Sequence, residues 1–178
     1  MVLTIDTVDF PIEEKKTRTD RKFWKGWFSK KLAGPGLKYE IGTNREGYLV
    51  WLNGPFEPSK HDVSIFDEDL AALLNDTEYS MTDGGYKGRE AFVREGMLTS
   101  ELKKWYHRRS RARHEAMNKR FKIFKILSSA YRGRSEQAII DHGDIFNAIA
   151  VIIDTTCKLE LAHILPVHVA DDPDYQIH

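Results

Sequence analysis

From Trp105 to Leu127 the chain contains neither proline nor glycine, and Met117, Phe121 and Phe124 recur at helical spacing along it. A segment of this kind has one regular conformation open to it, so the spacing predicts a long helix over 105–127 with that apolar stripe buried. The same stretch carries unusual charge. From Lys103 to Lys125 there are ten Lys or Arg and two His against one acid, Glu115. From Glu57 to Asp83 the balance reverses, with eight acidic residues and one lysine. The totals cancel, 27 basic against 27 acidic side chains, so a uniformly basic coat is excluded. Any polyanionic partner has to be met by a local patch, and the segment 103–125 is the candidate; taken alone, a charge run is more often a solvated helix face.

The other elements follow from shorter signals. Val2 to Phe10 mixes β-branched and apolar residues without a helical period. Leu37–Thr43 and Gly47–Asn53 read as a hairpin across Asn44-Arg45-Glu46. Between them Glu13–Gly36 reads as a long, partly packed connection with a turn at Gly34-Pro35-Gly36, and Gly54-Pro55 is expected to end the third strand. Val63–Leu74 has helical spacing, with Asp62 as its cap; Glu78–Thr82 is a short strand stopped by Gly84-Gly85. Gly88–Glu95 is weakly helical, and Asp141–Leu161 is a second long helix. Strands first and helices afterwards make a mixed α/β plan. One domain is expected over 1–165, followed by an acidic, disordered tail over 166–178. With 178 residues, 41% of them apolar, and a single cysteine, no disulfide framework or Cys-based zinc module is open to the chain, and no stretch has the length of a membrane span. A soluble intracellular protein without a targeting segment is expected.

Three carboxylates stand where chemistry could use them: Asp6 within the first strand, Asp83 at the end of the short strand, and Glu115 on the basic helix. Hard divalent cations take oxygen ligands, and three carboxylates from three elements could hold one or two Mg²⁺ ions. Each also has an ordinary reading. Asp6 could face solvent, Asp83 before two glycines suits a turn, and Glu115 lies four residues before Lys119 as in a surface ion pair. Strand period puts Asp9 on the face opposite Asp6. Along the helix, Glu115 shares the polar face with Asn118, Lys119 and Lys122. Other motifs fail: His114-Glu115-Ala116-Met117-Asn118 has Asn where a zinc-protease helix needs its second histidine, and Cys157 sits in an apolar helix as a core residue.

The ordered series Thr4-Ile5-Asp6-Thr7-Val8-Asp9, Gly34-Pro35-Gly36-Leu37-Lys38-Tyr39-Glu40-Ile41-Gly42, Val50-Trp51-Leu52-Asn53-Gly54-Pro55-Phe56, His61-Asp62-Val63-Ser64-Ile65-Phe66, Thr82-Asp83-Gly84-Gly85-Tyr86-Lys87-Gly88 and Arg113-His114-Glu115-Ala116-Met117-Asn118-Lys119-Arg120-Phe121-Lys122 resembles the DDE-type endonuclease domain of Harbinger-like transposases. The resemblance runs from about Thr4 to about Leu159. It implies an RNase H-like mixed sheet flanked by helices, with Asp6, Asp83 and Glu115 as a catalytic triad holding two Mg²⁺ or Mn²⁺ ions for DNA cleavage. Arg111, Arg113, Lys119, Arg120 and Lys122 would then track DNA phosphates, which carries affinity without sequence information. A nuclear or other intracellular setting is implied. The chain begins almost at the first catalytic strand, so the helical DNA-reading module of such enzymes is expected to be absent or supplied by a separate protein. Thr7 and Val8 replace the glycine and threonine usual after the first aspartate. The alternative expectation is therefore a domesticated or truncated, non-catalytic DNA-binding or interaction protein of the same fold.

Overall fold

The computed structural model describes residues 2–13, 25–44, 46–75, 79–82, 86, 92–93, 99–132 and 136–159. Strand β1 (Val2–Pro11) is the axis of the sheet. On one side it pairs antiparallel with β3 (Gly34–Thr43), which pairs in turn with β4 (Leu49–Phe56) and, at its start, with the two-residue β2 (Phe28–Ser29). On the other side it pairs in parallel with β5 (Tyr79–Met81), and β5 with β6 (Phe92–Val93). Three long antiparallel strands and the short β2, joined through the first strand to two parallel ones, with helices on both faces, make an RNase H-like fold.

Side-chain alternation along β1 divides the interior into two cores. Val8, Phe10 and Ile12, with Leu37, Tyr39 and Ile41 of β3, face α2 (Glu101–Ile123), α3 (Lys125–Ser128) and α4 (Glu136–Lys158). The centre of this layer is aromatic: Phe146 of α4 stacks on Tyr39 at 4.0 Å and on Phe121 of α2 at 4.7 Å between centroids. Burial holds the Tyr39 hydroxyl protonated and pushes His142 down to about 4, and the hydroxyl and Nδ1 of the neutral His142 share a hydrogen bond of 2.7 Å. Leu3 and Ile5 point the other way, onto Phe66 of α1 (Asp62–Glu68), Leu70 and Tyr86.

Several boundaries differ from the sequence reading, each for a tertiary reason. The turn expected at Gly34–Gly36 lies inside β3; the chain reverses just before it, with Ala33 at φ 52. Gly36 pairs with Pro11 so closely that a Cβ would stand 3.0 Å from the Phe10 carbonyl oxygen. Gly54-Pro55 does not end β4, which runs on to Phe56 past a register shift opposite Lys38–Glu40; proline is tolerated where the ladder is interrupted. The first helix stops at Glu68 and passes through Asp69 into a 3₁₀ turn, Leu70–Ala72, which buries Leu70 and leaves Leu73 exposed. Asp62 caps nothing. Its Oδ1 accepts from Lys38 Nζ at 2.8 Å and from Thr7 Oγ1 at 3.0 Å. The basic helix begins at Glu101 and breaks at Phe124, whose extended backbone turns α3 so that Leu127 is fully buried. The region read as weakly helical holds β6, fixed by parallel pairing with β5, and the last helix spans Glu136–Lys158 rather than 141–161. Cys157 is buried, as expected. The tail 166–178 lies outside the described residues. Among the described residues no helix is long and apolar enough to cross a membrane.

Candidate active site

Helix α2 lies alongside β1 and runs in the same direction. His114 reaches the backbone of Thr4 and comes within 3.5 Å of Thr43 Oγ1, Asn118 meets Asp6, and Phe121 meets Phe10. The half-buried Asp6 projects to the α2 face of the sheet, and Asp9 to the other face, where it accepts from Ser29 Oγ. Both Asp6 oxygens are engaged: Thr7 N–H donates to Oδ1 at 2.8 Å and Asn118 Nδ2 donates to Oδ2 at 3.2 Å. Thr7 in place of glycine is accommodated because its backbone serves Asp6 while its side chain serves Asp62 on the opposite face.

Glu115 is exposed and precedes Asn118 by three residues, a spacing that sets Cβ atoms roughly 5–6 Å apart on one helix face. At about 100° per residue, Arg111, Glu115, Asn118 and Lys122 fall on one flank of the buried stripe His107, Ser110, His114, Met117 and Phe121, with Lys119 just beyond them. Arg113 and Arg120 fall on the other flank. Arg113 is 3% exposed and packs against Gly47 in the β3–β4 hairpin; Arg120, half-buried, sits near Cys157 of α4. The hairpin lies on the β3 side of β1, so the flank bearing Glu115 faces the β5 side. Arg111, Lys119 and Lys122 are exposed there, whereas Arg113 is buried on the other flank.

Asp83 lies outside the described residues. Among the described residues no group of three His, Cys, Asp or Glu side chains could hold a metal ion. The donor set that is described nevertheless suits a hard cation. Two carboxylates and one amide are all oxygen donors, and the Asn118 Oδ1 is buried without a hydrogen-bond partner, an acceptor that a hydrated ion would satisfy.

Beneath the site, on the α1 face, is a buried acid that sequence reasoning missed. Glu40 is fully buried; Trp51 Nε1–H donates to its Oε2 at 2.8 Å and the Tyr86 hydroxyl to its Oε1 at 3.2 Å. Burial pushes its carboxyl up to about 7, against the pull of those two donors. Its signal in the sequence was a lone acid between Tyr39 and Ile41, in a strand whose opposite face is apolar. Asn118 had a clearer one, the i+3 spacing from Glu115.

A sheet of this topology, with one carboxylate on its central strand and a second on the helix laid across it, defines an RNase H-like domain. The family model described as DDE superfamily endonuclease matches residues 5–157, and the chain belongs to that family. No curated protein and no solved structure matches it.

Proposed function

We propose that the chain is a divalent-metal-dependent DNA endonuclease or transposase domain in which Asp6, Asp83 and Glu115 form the catalytic triad. The observation that carries this reading is the Asn118–Asp6 hydrogen bond, which ties the helix bearing Glu115 to the strand bearing Asp6. It also turns toward β5 the flank of α2 on which exposed cations accompany the acid. The parallel register pairs Leu3 with Ser80 and Thr4 with Met81; in the sequence Asp6 follows Thr4, and Asp83 follows Met81, by two positions.

A pair of Mg²⁺ or Mn²⁺ ions, when bound, would lower the pKa of the attacking water or 3′-hydroxyl and neutralise charge on the leaving oxygen. Asp6 and Glu115, with Asp83, would hold that pair. The Thr7 N–H and the Asn118 NH₂ donate to the two Asp6 oxygens and orient the carboxylate. Arg111, Lys119 and Lys122 would bind backbone phosphates beside the acids and hold the strand in line, a role of position and charge. Sequence choice would come from a separate DNA-reading module or protein, and the setting would be nuclear or otherwise intracellular.

The test is nicking of supercoiled duplex DNA in Mg²⁺ or Mn²⁺. Cleavage by wild type and none by a folded Asp83→Ala variant is the expected outcome. DNA binding without cleavage under either ion would identify a non-catalytic binding protein of the same fold.

A further inference from the structure

We infer that Asn118 is a positioning residue for Asp6: its NH₂ fixes one carboxylate oxygen, and its buried amide oxygen accepts from a water in the hydration shell of the cation that Asp6 holds. The inference rests on the triad reading above. It deepens that reading by assigning a role to a neutral side chain.

Three features of the site converge on this residue. The amide is the contact by which α2 grips the carboxylate: Nδ2 lies 3.2 Å from Asp6 Oδ2, while the other oxygen is held from within β1 by the Thr7 N–H at 2.8 Å. The NH₂ of the amide is the group that faces Asp6, donating to a carboxylate oxygen that accepts. The Asn118 Oδ1 is then left buried and without a hydrogen-bond partner. Such an atom costs free energy in the folded chain and calls for a donor that the described residues do not supply. Glu115 lies one helical turn away on the same flank.

The residue type fits the task. A lysine here would neutralise Asp6 and compete with the cation, and an acid would repel Asp6 and offer it no hydrogen bond. A neutral amide donates to the carboxylate and accepts from a bound water at once. Outer partners of this sort typically alter metal affinity by about 10- to 100-fold when removed.

The experiment is a titration of the full chain with Mn²⁺ alone, followed by the paramagnetic resonance of the free ion, for wild type, Asp6→Asn, Asn118→Leu, Asn118→Ser and Asn118→Gln. The expected result is loss of the tight site in Asp6→Asn, a dissociation constant raised about tenfold or more in Asn118→Leu and Asn118→Ser, and partial recovery in Asn118→Gln, whose amide can still donate. Leu and Ser change the packing in opposite senses, so a shared weakening at unchanged melting temperature reports the lost amide. If Asp6→Asn binds Mn²⁺ as wild type does, the triad reading itself fails. If Asp6→Asn loses the site while Asn118→Ser keeps the wild-type constant, the triad stands and the role given to Asn118 is overturned.

Discussion

Arg113, in the middle of the basic helix, lies so close beneath Gly47 of the β3–β4 hairpin that a Cβ on the glycine would stand 2.8 Å from the arginine Cδ. The hairpin is thereby seated on α2 by an aliphatic stem as much as by a charge. Gly47 is also at φ +93, a conformation that L side chains rarely adopt. Gly47→Ala combines backbone strain with displacement of Arg113 and is expected to cost roughly 1–3 kcal/mol in urea unfolding. A variant as stable as wild type would show that the hairpin is not seated on Arg113.

Exposure separates the five candidate DNA-contacting cations by flank, and salt dependence reads the separation. Alanine at Arg111, Lys119 or Lys122 should weaken DNA binding about equally for all sequences and lower the salt slope by roughly one unit per contact. Arg113→Ala should leave the slope of the folded protein unchanged and lower stability instead, because its side chain is buried. Isotherms at several salt concentrations decide this, and superimposable curves for wild type and an Arg111→Ala/Lys122→Ala double variant would remove that flank from the DNA interface.

Glu40 makes stability depend on pH with a definite sign. Its folded-state pKa is raised, chiefly by burial, from 4.5 to about 7. Between those values the folded chain keeps a proton that the unfolded chain has released, so this residue's contribution falls as pH rises. The buried imidazoles of His114 and His142 act in the opposite sense: each is held down to about 4 from 6.5, and their contribution is lost as pH falls through that window. Glu40→Gln removes only the first effect. The variant should gain on wild type by up to roughly 3 kcal/mol between about pH 4.5 and 7, whereas parallel stability profiles would mean that Glu40 is ionised throughout.

The aromatic layer that fixes α2 on the sheet should be costly to open. Phe146 is 1% exposed and stacks on both Tyr39 and Phe121. Phe146→Ala is expected to lose about 3–5 kcal/mol, measured by the shift of the urea midpoint at constant slope. A loss below 1 kcal/mol would mean that the layer repacks.

Much of this was legible in the chain, and what was not shares a cause. The β3–β4 hairpin, the β1 alternation and the placement of Asp6 and Asp9 on opposite faces follow from local pattern, as does the apolar stripe through Met117 and Phe121. The break at Phe124 has no glycine or proline to announce it; it serves the burial of Leu127, which only the folded sheet defines. β6 is two residues long and exists by pairing with β5. Arg113 looked like its basic neighbours because one helical position separates an exposed flank from one covered by a hairpin far away in sequence. The contacts of Asn118 and Glu40 are made with partners 112 and 46 residues away.

Diffraction at the manganese edge from crystals soaked in Mn²⁺ locates the ions directly. Two anomalous peaks about 3.5–4 Å apart, one against the Asp6 carboxylate and one within reach of Glu115, are the result expected of a two-metal DDE site. Saturating Mn²⁺ with no peak at Asp6, or peaks only at other acidic residues, would contradict it.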